Sequence, residues 1–101
     1  MNGTMLGDSP SAATGAKTPD DPQARIAALR NRIDEIDATL IQLWQERAAI
    51  SQEVGVTRVA SGGTRLVLSR EREILDRFRS ALGADGTQLA LLVLRAGRGP
   101  L

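Results

Sequence analysis

Residues 26–59, IAALRNRIDEIDATLIQLWQERAAISQEVGVTRV, decide the fold. Apolar side chains fall at Ile26, Leu29, Ile33, Ile36, Leu40 and Leu43, then at Ile50 and Val54. Their alternating steps of three and four residues form a heptad seam, the signature of a helix that packs along its whole length. Between Leu43 and Ile50 the pattern requires an apolar residue at position 47, and an arginine stands there. Upstream, Asp20, Asp21 and Pro22 supply an acidic N-cap candidate and a proline suited to a first turn. Downstream the pattern persists to about Val59, and Ser61-Gly62-Gly63 breaks it. The predicted helix has about 38 residues and spans roughly 57 Å, whereas a compact 100-residue domain has a radius of gyration of about 13 Å. Such a helix cannot fold back into its own globule. The chain left over is too short to cover the seam, so the sequence predicts pairing with a second copy, most simply about a two-fold axis.

The rest of the chain continues the helical theme. Leu68, Leu75, Phe78 and Leu82 keep the three-four spacing if Glu71 holds the intervening position, which predicts a second helix over about 67–82. Gly83, Asp85 and Gly86 mark the next turn, with Asp85 as the cap of a third helix. That helix carries Leu89, Leu91, Leu92, Val93 and Leu94, is apolar almost all round, and is expected to be buried and to end at Gly97-Arg98-Gly99-Pro100. Residues 1–20 are rich in Gly, Ser, Thr, Ala and Pro without periodicity, and read as a disordered leader ahead of a domain over 21–101, with Met5 an alternative start. The expected fold class is therefore all-α: three helices per chain, one long and two short, in an intertwined homodimeric bundle.

Composition excludes much chemistry. The 101 residues contain no cysteine, histidine or tyrosine, so thiolate and imidazole metal sites, Ser-His and Cys-His nucleophiles and the usual neutral-pH proton shuttle are all missing. No metal or cofactor is expected. The net charge of +1 gives no support to a nucleic-acid or membrane-surface role, and no basic segment followed by an apolar run opens the chain. A cytoplasmic location is expected. Of the 13 basic residues only Lys17 is a lysine, so the cations are almost all arginines, the side chain suited to bidentate carboxylate recognition.

Three arginines and a carboxylate stand out by position. Arg47 interrupts the seam, where a lone charge could simply fix register. Arg58 follows eleven residues later, within roughly 20° on the same helical face and some 16 Å further along. Its plain reading is a cation near a helix C-terminus. Arg30, about 25 Å from Arg47 along the helix, is too far to share a ligand with it in one chain, and its plain reading is a pair with Asp34. Antiparallel pairing about residue 41, however, sets residue 30 of one copy opposite residue 52 of the other, between Arg47 and Arg58. Glu71 follows Arg70 near the apolar face of the second helix, where the plain reading is a first turn capped by Ser69 with a carboxylate favoured by the helix dipole. A cluster of arginines around one carboxylate is costly without an anion to complete it, which points to a dianionic ligand.

The segments LRNRIDEIDATLIQLWQERAAIS and SGGTRLVLSRERE resemble the short AroQ-type chorismate mutases. The SGGTRLV loop and GRG-containing C-terminus are most similar to those of the intracellular actinobacterial subclass, and the resemblance covers nearly everything after the leader. It implies rearrangement of chorismate to prephenate for phenylalanine and tyrosine biosynthesis. It further implies that Arg47 and Arg30 of the neighbouring subunit hold the two carboxylates, that Arg58 lies against the ether oxygen, and that Arg70 lines the enolpyruvyl end. Glu71 would accept a hydrogen bond from the ring hydroxyl, while Thr64 and Val67 close the pocket from the loop. The third helix offers aliphatic residues at its centre, which leaves Arg98 as the polar candidate for a second contact to the ether oxygen. The subclass association with a DAHP synthase, through the loop and the tail, implies that partner as well. Alternatives on the same fold are a 4-amino-4-deoxychorismate mutase or an isochorismate-pyruvate lyase; from another class, a non-catalytic helical dimer whose arginines serve assembly.

Overall fold

A computed structural model describes residues 21–99. The leader over 1–20 and the last two residues of the predicted domain lie outside the described residues. Three helices follow one another: α1 over Pro22–Ala60, α2 over Leu68–Leu82 and α3 over Ala84–Arg98. Internal contacts divide the chain within α1, into a unit ending at Thr39 and a unit over Leu40–Leu101. Among the described residues no helix is long and apolar enough to cross a membrane.

The start and stop signals of α1 act as the sequence predicts. The Asp21 side chain accepts a hydrogen bond from the Gln23 backbone N–H at 3.1 Å, satisfying one of the donors a helix leaves open at its first turn. At the other end Gly62 takes a φ of +90°, open to glycine and strained for other residues. This reversal lets the Gly63 N–H reach the Arg58 carbonyl at 2.8 Å and the Gly62 N–H reach that of Val59 at 3.0 Å, a Schellman closure. The seam carried between these ends is uncovered within the chain: Ile33 is 54% exposed, Leu40 60% and Leu43 54%. On this stretch the ion pair that forms is Arg32 with Glu35 at 3.0 Å, rather than Arg30 with Asp34.

Within the unit from Leu40 onward, α2 and α3 form an antiparallel hairpin whose core is Ile74, Ala90 and Leu94, flanked by Leu75 and Phe78. Ala90 is fully buried and Ile74 is 4% exposed. The hairpin closes tightly because Gly86 has no side chain, since a Cβ there would collide with the Phe78 carbonyl oxygen.

Three local expectations are corrected. Helix α2 begins one residue later than predicted with Val67, in extended conformation, as its N-cap, so Ser69 lies inside the first turn and caps nothing. Helix α3 begins at Ala84 behind Gly83, which leaves Asp85 inside the helix as a dipole-favoured acid rather than its cap. Nor is α3 buried all round. Ala90 and Leu94 pack against α2 and Val93 is buried, whereas Leu89, Leu91 and Leu92 are 40–48% exposed in the single chain.

Candidate active site

A cavity of about 530 Å³, within the usual range for small-molecule sites, opens where the C-terminal part of α1 meets the α1–α2 loop, the start of α2 and the end of α3. Five arginines line it, Arg47, Arg58, Arg65, Arg70 and Arg98, against the single carboxylate of Glu71. Aliphatic side chains, among them Ile50, Val54, Val67, Ile74 and Leu94, form much of the remaining wall, which Ser51 and Gln52 of α1 also reach. Helical phase explains the α1 contribution: eleven residues is close to three full turns, so Arg47 and Arg58 face the same space.

Arg47 is half-buried, and its guanidinium holds its proton less tightly than an ordinary arginine. Burial is the main cause, followed by the positive charges of Arg70 and Arg77. It remains charged near neutrality, but in surroundings that penalise a bare cation and reward an arriving anion. Arg58 is anchored by the turn that ends α1, because Gly63 packs against its stem. A Cβ on Gly63 would stand 2.7 Å from the Arg58 Cγ.

Glu71 and Arg98 make a two-pronged charge-assisted pair. Arg98 Nη2 donates to Glu71 Oε1 at 2.6 Å and Arg98 Nε donates to Oε2 at 3.0 Å, with the two side chains 29% and 17% exposed. The hydrogen bond to Glu71 raises the Arg98 pKa above the ordinary value despite partial burial. One expectation changes here. Arg98 does not point as a free donor into the cavity, because its fork is engaged by Glu71. Arg70 does not pair with its neighbour Glu71 but with the exposed Glu73 at 3.3 Å, one turn further along α2.

The Gly97-Arg98-Gly99-Pro100 segment ends α3 as predicted, and the structure divides the work between its two glycines. Gly97 lies inside α3 and is buried, and the helix ends only at Gly99, where φ is +66°. Gly97 is needed there for closeness to α1, since a Cβ would fall 2.6 Å from the Ser51 Oγ and 2.8 Å from its Cβ.

Of the residues singled out from sequence, Arg47, Arg58, Val67, Arg70, Glu71 and Arg98 surround the cavity. Thr64 does not line it within the chain; its hydroxyl turns back on the loop and donates to the Leu66 carbonyl at 2.8 Å. Arg30 is exposed on α1 and is not among the lining residues of the single chain. Sequence reasoning missed Arg65, whose stem crosses Gly55 with its Cγ 3.5 Å from where a Cβ would stand. Arg65 lies in the loop between α1 and α2, which has no helical phase to place it, so the residue pattern gave no signal for it. Among the described residues no cluster of three or more His, Cys, Asp or Glu side chains could hold a metal ion.

Comparison with known proteins gives concordant results. The family model described as chorismate mutase type II matches residues 29–93. An intracellular chorismate mutase of Mycolicibacterium smegmatis is 51% identical over 81 residues, covering 80% of this chain and 78% of the relative. The intracellular chorismate mutase of Mycobacterium tuberculosis is 50% identical over 80 residues, covering 79% of this chain and 75% of the relative. Among solved structures, a chain of the non-covalent complex of DAHP synthase and chorismate mutase from Corynebacterium glutamicum, with bound transition state analog, superposes with a TM-score of 0.73 at 43% identity. The match covers 78% of this chain and 95% of that one.

Proposed function

Because the chain belongs to the chorismate mutase type II family, and its activity is the rearrangement of chorismate to prephenate, we propose that the arginine-lined cavity is where that reaction takes place. The observation that carries this reading is the charge of the wall: five arginines against one carboxylate around a space sized for one small ligand. A dianionic substrate completes that balance, and relieves in particular the burial and like-charge penalty on Arg47.

The chemistry asks little else of the protein. The rearrangement is intramolecular and pericyclic, so no nucleophile or proton transfer is required, and a chain without histidine or cysteine can perform it. What the protein supplies is a compact substrate conformation and fixed positive charge where negative charge develops. Arg47 holds one carboxylate, Arg58 stands against the ether oxygen of the breaking bond, and Arg70 lines the enolpyruvyl end. Glu71 receives the ring hydroxyl. Its pair with Arg98 does not prevent this, since two carboxylate oxygens offer about four acceptor sites and Arg98 occupies two. Val67 walls the loop side, and Thr64 acts through the loop it braces.

The second carboxylate is assigned to Arg30 of the partner subunit in a homodimer. The exposed seam of α1 supports such a pairing, as does its register: antiparallel helices crossing near residue 41 bring residue 30 opposite residue 52, and Gln52 lines the cavity. The Corynebacterium glutamicum complex supports a DAHP synthase as partner here too, and the resemblance of the SGGTRLV loop and the C-terminal tail to the subclass points to those segments as the contact. A cytoplasmic place in phenylalanine and tyrosine biosynthesis is in keeping with the intracellular relatives.

The test is loss of chorismate absorbance with the purified protein, product identification, and Arg58→Ala beside the wild type. Prephenate formation that falls by about 10²–10³-fold in the variant supports the assignment, that being the usual loss for one preorganised electrostatic contact. An unimpaired variant refutes it. Co-elution with the cognate DAHP synthase on size exclusion tests the partner.

A further inference from the structure

The end of α3 is tied to α1 by a contact that neither the sequence pattern nor the charge of the cavity requires. Gln52 Nε2 donates to the Ala96 carbonyl at 3.0 Å, and the Gln52 amide lies under Gly99, 3.2 Å from where a Cβ would stand. The last carbonyls of a helix have no partner within it. Ala96 is a special case, because continuation of the helix would give it the N–H of residue 100, and residue 100 is a proline, which has none. Gln52 therefore supplies from α1 the donor that α3 itself cannot.

The consequence lies between the two glycines. One residue before Arg98, Gly97 presses on Ser51, and one residue after it, Gly99 rests on Gln52. Arg98 is thus held by its backbone on both sides while its side chain holds Glu71 by two hydrogen bonds. We propose that Gln52 is a positioning residue: by capping the Ala96 carbonyl and seating Gly99 it fixes the end of α3, so that Arg98 presents Glu71 to the substrate in one orientation. This rests on the assignment of the cavity as the active site. Gln52 needs no contact with substrate in this role, and its effect passes through Arg98.

The experiment uses the full chain and the variants Gln52→Met, Arg98→Ala and the double variant. Methionine keeps the length of glutamine against Gly99 but has no N–H to donate. With one hydrogen bond lost, kcat/KM for chorismate is expected to fall roughly three- to tenfold in Gln52→Met, mostly in kcat, with the melting curve nearly unmoved. In the Arg98→Ala background the same substitution is expected to cost nothing further, since the arm it positions no longer carries Glu71. Unchanged turnover in Gln52→Met, or an undiminished loss in the Arg98→Ala background, overturns the proposal. Hydrogen exchange of the peptide over residues 94–99 gives a readout independent of turnover: it is expected to quicken in Gln52→Met, and identical exchange overturns the clasp. A wild type inert toward chorismate would count against the active-site assignment alone, with the exchange measurement still deciding the clasp.

Discussion

The approach of α3 to α1 at Gly97 can be tested by adding one methyl group. In Gly97→Ala the new Cβ would lie 2.6 Å from the Ser51 Oγ and 2.8 Å from its Cβ. Those atoms sit next to the α1 backbone and cannot swing aside as the end of a long side chain could, so the helices must separate. Overpacking of this kind costs about 1–3 kcal/mol, and the close contact at two atoms places this case near 3, while Gly→Ala in a helix interior returns about 1. The net expectation is a loss of about 2 kcal/mol, or a melting temperature lowered by roughly 8–16 °C for a chain this size, read by circular dichroism at fixed protein concentration. Ser51→Gly removes both atoms struck. Alone it should cost about 0.5 kcal/mol in helix propensity; combined with Gly97→Ala it should restore near-wild-type stability, a coupling of about 2–3 kcal/mol between the sites. If Gly97→Ala melts at or above the wild type, or Ser51→Gly fails to rescue it, the helices do not touch at this point and the account of how Arg98 is placed is wrong.

Other substitutions separate the roles within the cavity. Arg47→Ala removes a charged hydrogen-bond partner of a carboxylate and is expected to raise KM roughly ten- to a hundredfold in steady-state assays of chorismate turnover; an unchanged KM would detach Arg47 from substrate binding. Gly63→Ala drives a Cβ into the Arg58 stem, so kcat should fall about tenfold or more while KM and the melting curve move little, and an unaffected kcat would mean that Arg58 is not held by this turn. Leu40→Asp places a charge on the exposed seam, where the single chain has no packing to lose. Sedimentation velocity should show the dimer dissociating and activity lost with it, whereas a variant that sediments like the wild type would exclude the seam as the interface.

Much of this molecule is legible in its sequence, for reasons that are local. The length and phase of α1 follow from its heptads and from a glycine that only a Schellman turn needs, so its end was predicted within about one residue. Arg47 and Arg58 were found because helical phase alone puts them on one face. The pairing of Arg98 with Glu71 was not legible, since the two lie 27 residues apart and meet only through the packing of α3. The end of α3 falls within Gly97-Arg98-Gly99-Pro100 as the sequence predicts, but the close contact of Gly97 with Ser51 was not legible, since the two lie on different helices. The burial of α3 was overstated because an all-round apolar surface records every surface it will meet, including those that one chain does not supply. Arg30 belongs to the same category: it is exposed on α1 and away from the cavity of the single chain.

The glycines of the site share a logic that ties stability to chemistry. Gly55 lies under the stem of Arg65, Gly63 beside the stem of Arg58, and Gly97 immediately before Arg98, each where a Cβ would touch an arginine or the helix that carries one. Gly55 and Gly97 lie within helices, where a glycine forgoes about 1 kcal/mol against alanine, a substantial fraction for so small a chain. Long cations could have been accommodated more cheaply by letting them extend into solvent, but there they would be mobile and screened, and would hold a charged substrate weakly. With the cavity assigned as proposed above, contact between backbone and arginine stem would fix the guanidinium before substrate arrives, and an arriving anion would offset the cost of crowding five cations. Substrate or a transition-state analogue should therefore stabilise the folded chain by more than its contacts with any one arginine, since it relieves repulsion among all of them. The melting temperature should rise with analogue concentration in the wild type and rise less in Arg47→Ala; equal shifts in the two proteins would mean that the arginines do not act as one electrostatic unit.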